Sequence, residues 1–276
     1  MPGGKRRHVK TYRTSAGQVS WLEFGAGAGL TVLIHGAASS PLAFVPLAQA
    51  LASAHRRVVC LGLHGYGPTA LNEPDILRAH TGAVRLLLDV LEADRCALFG
   101  HSLGGLVALL AAVADSRVSR LCLYEPIALG VLDPSDAEDA AGLAWDRRIV
   151  RKMCQRVDAG QAELGVRTFV EAWNDTPWQA MPHKIRAALI ASAAQLSRET
   201  TAAGCAPLGS HHIASLTQPM LLLHGTASPP VIARIVKRLM AGAAQASEVA
   251  LAGKGHMAPV TDPAALAPLL HEFLTG

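Results

Sequence analysis

The sequence lacks the features that would place it in a membrane or on a nucleic acid. No apolar run reaches the roughly 18 residues of a membrane span. No apolar stretch follows the basic N-terminus, MPGGKRRHVK, so we expect no secretory signal. Charged residues make up 17% of the chain, and the net charge of +4 comes mainly from Lys5–Arg7 and the pair Arg147 and Arg148. This scattered charge is not the dense basic stripe that binds nucleic acid, so we expect neither a membrane nor a nucleic-acid partner.

Cysteine is also scarce, with five in 276 residues. Three of the five lie inside apolar runs, where we expect small, buried, reduced side chains, as in a cytoplasmic protein: Cys60, Cys96 and Cys122. Cys154 and Cys205 lie far from each other and from any histidine at metal-ligand spacing, and the pair His211-His212 stands alone. We therefore expect no metal site.

Apolar residues are plentiful, at 50% of the chain, which is enough for one large core or two smaller ones. Five short runs are apolar throughout rather than at alternate positions: TVLIHG (31–36), RVVCLGL (57–63), RCALFG (95–100), RLCLYE (120–125) and PMLLLHG (219–225). Parallel strands covered by helices on both faces have this composition. Helical patterns separate the runs, and two antiparallel strands are predicted before them, at 9–13 and 18–24. This order predicts an α/β fold with a mostly parallel central sheet and helices on both faces.

The strand pattern stops between residues 127 and 216 and then returns. The interrupted stretch looks helical and contains three of the four tryptophans, Trp145, Trp173 and Trp178. We expect a core domain made of residues 1–126 and 217–276, with a helical lid at 127–216 inserted into it. The three tryptophans either pack between lid helices or face a ligand pocket beneath the lid.

A Gly-x-Ser-x-Gly pattern, Gly100 to Gly104 in LFGHSLGG, is the strongest chemical signal. The pattern alone is weak, but here a buried strand precedes it and a small-residue helix follows. Ser102 would then lie on a sharp strand-to-helix turn with its hydroxyl exposed at the sheet edge, as a nucleophile requires. The alternative is an ordinary glycine turn with a serine that caps the helix.

A serine nucleophile needs a base and a site for the developing negative charge. His256, in LAGKGHMAP after the last predicted strand, is the best base, and the alternative is a surface loop histidine. The backbone N–H of Leu103, at the start of the helix, is one expected donor to the oxyanion. The N–H of Ala37, in the turn after the first parallel strand, is the other.

With these motifs, the chain resembles the α/β-hydrolase family over nearly its whole length. The resemblance rests on four positions: His35-Gly36, HGYGPT (64–69), the turn at Gly100–Gly104, and Gly255-His256, with a lid after the fourth parallel strand. It implies the fold of that family and no metal or organic cofactor, but it does not identify a substrate. It disfavours dehalogenase and epoxide hydrolase activity, because those relatives carry aspartate where this chain has Ser102.

The chain departs from the family pattern at the acid that should orient His256. Most relatives carry an aspartate in the turn after the fifth parallel strand, where this chain has Ser228. The resemblance instead points to Glu125, which ends the fourth parallel strand in LCLYEPIALG (121–130), an acid position known in a few family members. Pro126 predicts an extended backbone at Glu125.

Other interpretations of the acid stay open. Glu125 would otherwise pair with Arg147 or Arg148, or face water. Asp133 is a weaker substitute because it lies further into the lid, and Asp262 follows His256 too closely to be an attractive partner.

Three functions fit the sequence. The first is a serine hydrolase that cleaves a small, largely apolar ester, thioester or lactone through an acyl-enzyme formed by Ser102, with His256 and Glu125 completing the triad. The second is a carbon–carbon bond hydrolase, acting on a diketone-like ring-cleavage product, or a lyase. The third is a ligand-binding protein with little turnover. In each case we expect a small-molecule partner, a monomer or homodimer, and ligand contacts from residues that include His35, His101 and the three lid tryptophans.

Overall fold

The architecture of the chain is described by a computed structural model that covers residues 9–174 and 176–275. The cluster at Lys5–Arg7 lies outside the described residues. One sheet runs through the fold, and its strands are β1 (Lys10–Thr14), β2 (Gly17–Phe24), β3 (Gly29–Ile34), β4 (Arg56–Leu61), β5 (Ala70–Leu71), β6 (Cys96–His101), β7 (Val118–Tyr124), β8 (Met220–Gly225) and β9 (Ala246–Leu251).

The sheet is mostly parallel, with the strand order β1-β2-β4-β3-β6-β7-β8-β9 and with β5 paired to β2. β2 pairs antiparallel with β1 and β4, whereas β3, β4 and β6 to β9 pair in parallel. The prediction of a mostly parallel sheet preceded by two antiparallel strands is therefore confirmed.

Helices cover both faces of this sheet. They are α1 (Val45–Leu51), α2 (Ile76–Val90), α3 (Leu103–Ala114), α4 (Ala137–Asp158), α5 (Ala162–Trp173), α6 (His183–Ala191), α7 (Ala193–Gly204), α8 (Ser210–Ala214), α9 (Pro230–Gly242), α10 (Ala258–Thr261) and α11 (Pro263–Thr275). α2, α3 and α9 share one apolar cluster with Val32 and Ile34 of β3, while α1 and α11 share another with Leu33. Successive β3 side chains thus enter opposite cores, which explains why the strand sequences are apolar throughout.

The segment between β7 and β8 is helical, as the sequence predicts. It contains α4 to α8, and no strand is found in its described residues, 127–174 and 176–216. α4 packs against α9 and α7 packs against α2, so this segment lies directly on the core helices. Its separation into a lid domain stays a prediction. None of the helices in the described ranges combines the length and apolar character needed to cross a bilayer.

The helical pattern after the first parallel strand predicts one helix over residues 41–54, with proline in its first turn, and the structure differs there. Residues 41–54 contain a short 3-10 helix, Pro41–Phe44, followed by α1, rather than one continuous α-helix. Pro46 has no N–H to donate back to the carbonyl of Leu42, so a regular α-helix through this point would lose a hydrogen bond. The N–H of Val45 bonds to that carbonyl instead.

The turn from β6 into α3 depends on glycine because the backbones approach too closely for a side chain. A Cβ on Gly104 would lie 2.1 Å from the carbonyl oxygen of Ile34, and one on Gly100 would lie 2.4 Å from the carbonyl oxygen of Gly104. α3 can therefore lie directly beside the ends of β3 and β6, which holds residue 102 above the sheet edge.

We predict that Gly104→Ala lowers the free energy of unfolding by about 3 kcal/mol or more, because the added methyl group meets backbone that cannot move aside. Gly82→Ala is the matched control, since Gly82 lies within α2 and a Cβ there meets nothing within 4 Å. That change should raise stability by about 0.5–1 kcal/mol. Urea unfolding of both variants tests the prediction, and similar effects at the two sites would contradict it.

Candidate active site

Ser102 occupies a strained backbone conformation between β6 and α3. Its φ of 56° and ψ of −121° lie in a region that side chains other than glycine rarely adopt. The strain is held by hydrogen bonds at both ends of the residue. Its N–H donates to the carbonyl of Tyr124 (3.1 Å), and its own carbonyl accepts from the N–H groups of Gly105 (2.9 Å) and Ile127 (3.2 Å). The turn is therefore fixed against the end of β7.

Glu125 follows β7 directly and is completely buried. Its Oε2 lies 2.7 Å from Nδ1 of His256, and its Oε1 accepts from the N–H of Gly225 (2.7 Å) and the hydroxyl of Ser228 (2.5 Å). Three donors thus surround the buried carboxylate, as burial of a charge requires. Ser228, at the position where the resemblance implies an aspartate, here donates its hydrogen bond to Glu125.

The backbone at Glu125 corrects the prediction of an extended conformation before Pro126. Its φ is +48°, in the left-handed region. Its N–H nevertheless continues the pairing of β7 with β8 by donating to the carbonyl of Leu223 (3.0 Å). The three hydrogen bonds to the side chain and this backbone bond together hold a conformation that the local sequence disfavours.

The alternative acids lie elsewhere. Arg147 and Arg148 are exposed on α4, and neither forms an ion pair with Glu125. Asp133 accepts from the N–H and hydroxyl of Ser135, and Asp262 pairs with the ammonium of Lys254 at 2.6 Å. Of these acids, the structure brings only Glu125 into hydrogen-bond contact with the imidazole.

His256 lies in the turn after β9 and is 5% exposed. Its ring is 4.8 Å from the ring of His101 and 4.8 Å from that of Trp173, measured between centroids. Nε2 of His101 bonds to the carbonyl of His256 (2.8 Å), and the Tyr124 hydroxyl donates to the carbonyl of Gly255 (2.7 Å). Burial, and next the nearby His256, lower the pKa of His101 well below its usual value, so its ring is a neutral donor that supports the turn.

Ser102 lies in the wall of a cavity between the sheet edge and the inserted helices. The lining is mostly apolar and consists of Ala37, Ser102, Leu103, Ile127, Leu129, Asp146, Phe169, Trp173, Glu199, Thr200 and Ala203. It includes both residues whose N–H groups are predicted to bind an oxyanion, Ala37 and Leu103. Because Trp173 lines the cavity and also packs on His256, the imidazole lies next to the same space. No cluster of His, Cys, Asp and Glu suited to a metal ion occurs in the described part of the chain.

Three of the residues predicted to contact the substrate, His35, His101 and Trp178, do not line this cavity. His35 is fully buried, with Nδ1 bonded to the carbonyl of Gly36 and Nε2 to the N–H of Leu63; burial lowers its pKa to about 4, so it is neutral. Trp178 is 1% exposed and donates to Glu163 within the inserted helices, so it is a core residue.

The other two tryptophans lie at or next to the cavity. Trp173 lines the cavity, and its indole nitrogen is buried with no hydrogen-bond partner in the described residues. Trp145 packs edge-on against Trp173, with ring centroids 5.1 Å apart, and it supports the cavity wall without lining it.

A buried polar network joins α7 to the loop that carries Ala37. Glu199 of α7, completely buried, accepts from the Tyr66 hydroxyl (2.7 Å) and from Gln195 (2.8 Å), and His80 lies 3.1 Å away. The Tyr66 oxygen in turn accepts from the N–H of Ala38 (2.6 Å), whose φ of 52° is left-handed. Burial, and then Glu199, raise the pKa of Tyr66 well above its usual value, so its hydroxyl keeps its proton.

Sequence reasoning missed this network and also missed Asp146. The network joins residues that are distant in sequence, and no local pattern reveals it. Asp146 had a usable signal, because the buried face of α4 runs through Asp139, Leu143, Asp146, Ile149 and Met153 at helical spacing. A carboxylate within that stripe must be buried, and buried carboxylates need an explanation.

Comparison with known proteins shows the family of the chain. A sequence model described as the alpha/beta hydrolase family matches residues 31–269, and the chain therefore belongs to the alpha/beta hydrolase family. The crystal structure of a hydrolase from Pseudomonas aeruginosa is 25% identical, with a TM-score of 0.77, and the match covers 99% of this chain and 100% of that one.

Two further similarities give weaker evidence about the function of the chain. The enol-lactonase from Burkholderia xenovorans has a TM-score of 0.75 at 19% identity, with 97% of this chain and 100% of that chain covered, which shows a shared fold alone. The dihydrolipoyllysine-residue acetyltransferase component of an acetoin cleaving system from Pseudomonas putida is 39% identical over 114 residues. That match spans 40% of this chain and only 30% of the relative's length.

We predict that Tyr66→Phe lowers the free energy of unfolding by about 1–3 kcal/mol, because it leaves the N–H of Ala38 and one oxygen of Glu199 buried without their partner. Tyr12→Phe makes the same change on β1, at a side chain that is half exposed, and should alter stability by less than about 0.5 kcal/mol. Denaturant unfolding distinguishes the two, and an equal loss in both variants would contradict a structural role for the network.

Proposed function

We propose that the protein is a serine hydrolase that cleaves a small ester, thioester or lactone through an acyl-enzyme. The observation that carries this proposal is the hydrogen bond between buried Glu125 and Nδ1 of His256, next to a cavity that contains Ser102 on its strained turn. Membership of the alpha/beta hydrolase family supports hydrolysis as the reaction class.

In this mechanism the Ser102 hydroxyl attacks the substrate carbonyl while His256 removes its proton through Nε2. Nδ1 of the same ring donates to Glu125, which holds the ring in that tautomer and stabilises the imidazolium that forms. The imidazolium then protonates the leaving group. A water molecule, deprotonated by His256, then attacks the carbonyl carbon of the acyl-enzyme. The bond from that carbon to the Ser102 oxygen breaks, the imidazolium returns its proton to this oxygen, and the carboxylic acid leaves.

The negative charge on the carbonyl oxygen requires preset donors. The N–H of Leu103 lies at the N-terminus of α3, where the helix dipole is positive. The N–H of Ala37 is the second proposed donor. The N–H of the next residue, Ala38, is already engaged by Tyr66, which fixes the loop beside it. The apolar walls from Ile127, Leu129 and Phe169 would exclude water and strengthen these interactions.

Ser102→Ala should abolish hydrolysis of short p-nitrophenyl esters, because no other group in the cavity replaces the nucleophile. In the unchanged protein, a fluorophosphonate probe should label Ser102, and peptide mapping locates the label. Ser116→Ala, at an exposed serine between α3 and β7, should retain both activity and labelling. Correctly folded protein that takes up no probe would instead favour a ligand-binding role.

Glu125→Gln should lower kcat by on the order of 10³-fold or more with the fold intact. A glutamine cannot accept from Nδ1 of His256 and from Gly225 and Ser228 at once without turning its NH₂ group towards a donor. The matched control is Glu248→Gln, which neutralises the carboxylate of another Glu–His pair, 2.8 Å from Nε2 of His224. Steady-state kinetics with circular dichroism compares them, and a full rate for Glu125→Gln would remove this residue from the mechanism.

A further inference from the structure

Four carboxylate side chains are buried among the described residues, and three of them form hydrogen bonds or ion pairs. Glu125 binds His256, Gly225 and Ser228, and Glu199 binds Tyr66 and Gln195. Asp139 is held by Arg234 and Arg238, each at 2.6 Å. The fourth is Asp146, which is 5% exposed and has no hydrogen bond or ion pair within residues 9–174 and 176–275.

Asp146 lies in the wall of the cavity that contains Ser102. It projects from the buried face of α4, in the segment that covers the sheet edge. The lining has no lysine, arginine or histidine among the described residues, so a carboxylate here faces apolar groups, Ser102, Thr200 and the already bonded Glu199. Arg147, the next residue, is exposed on the outside of the helix.

This placement is unfavourable for the fold itself. Burial raises the pKa of Asp146 to about 6, although Arg147 lowers it, so the folded protein disfavours the ionised form. A side chain that stabilised α4 would have a partner there, as Asp139 has on the same face of the helix. A buried and unpaired carboxyl group in a cleft beside a nucleophile is typical of a binding site rather than of a structural contact.

We propose that Asp146 binds a hydrogen-bond donor of the substrate, a hydroxyl or amino group remote from the carbonyl that Ser102 attacks, and that it disfavours substrates with a carboxylate at that position. The placement of the donor relative to the reacting carbonyl rests on the proposed function, whereas the binding of the donor does not. This narrows the substrate from a largely apolar ester to one that carries a neutral or cationic polar group.

Binding without turnover tests the site directly. We expect calorimetric titration to show that 1-hexylamine binds the unchanged protein about tenfold or more tightly than hexanoate, as a charge-assisted hydrogen bond to a buried carboxylate allows. Asp146→Asn should reduce this ratio to near one. Asp158→Asn, the same change at the exposed end of α4, should retain it. Equal affinities, a preference for hexanoate, no binding of the amine, or an unaltered ratio in Asp146→Asn would overturn the proposal.

Rates of ester hydrolysis test the binding role of Asp146 independently of the proposed reaction. The p-nitrophenyl esters of hexanoic acid and 6-aminohexanoic acid, and the p-nitrophenyl monoester of adipic acid, have equal chain length and differ in the terminal group. We expect kcat/KM to be highest for the amino ester and lowest for the adipate ester. In Asp146→Asn, the three values of kcat/KM should become nearly equal. If no ester is cleaved but the protein still prefers 1-hexylamine to hexanoate, the proposed hydrolase reaction is wrong and the proposed binding role of Asp146 is supported. If all three are cleaved equally, the reaction stands and Asp146 does not contact the substrate.

Melting temperature completes the test. Because the ionised form of Asp146 is disfavoured in the fold, Asp146→Asn and Asp146→Leu should melt at or above the temperature of the unchanged protein at neutral pH. A marked loss of stability in both variants would assign the side chain a structural role and contradict the proposal.

Discussion

The buried carboxylate of Glu125 is the point at which the C-terminal edge of the sheet is tied together. It comes from the end of β7, accepts from the N–H that ends β8, from Ser228 in the turn after it, and from His256 in the turn after β9. A charge in this position is stable only while all of these donors are present, since the cost of burying it alone exceeds what one hydrogen bond returns. The three turns must therefore adopt one mutual arrangement, and that arrangement fixes the imidazole beside the cavity.

A second buried carboxylate, Glu199, lies in the cavity wall and holds part of it in place. Its bond to Tyr66, and the bond from Ala38 to Tyr66, connect an inserted helix to the loop after β3. The inserted segment therefore contributes to the structure of the site. Without it, the Tyr66 hydroxyl, which accepts from the N–H of Ala38, would lose its own acceptor, Glu199. The shape of the site depends on both the sheet edge and the helices above it.

Much of this could be predicted from the sequence, where local patterns carry the information. The continuous apolar runs gave the parallel strands, and the glycines around Ser102 gave the turn, because both effects act over a few residues. The contact of Glu125 with His256 is predictable only through the missing aspartate at Ser228 and the resemblance to a family. The positive φ of Glu125 and the Tyr66–Glu199 network could not be predicted, since each depends on partners that are distant in sequence. His35 and His101 were expected at the ligand, but being near a motif in sequence does not mean facing the cavity.

The buried carboxylates also show how structural and functional charges differ in one molecule. Asp139 and Asp146 lie on the same face of α4, seven residues apart, and both are buried. Two arginines of α9 satisfy Asp139 and thereby attach α4 to the core. Asp146 lines the cavity instead, and burial raises its pKa although Arg147 lowers it. The same helix face thus carries one carboxylate that the fold uses to attach α4 and one that the described part of the fold leaves free to bind a hydrogen-bond donor in the cavity, which is the basis of the proposed role of Asp146.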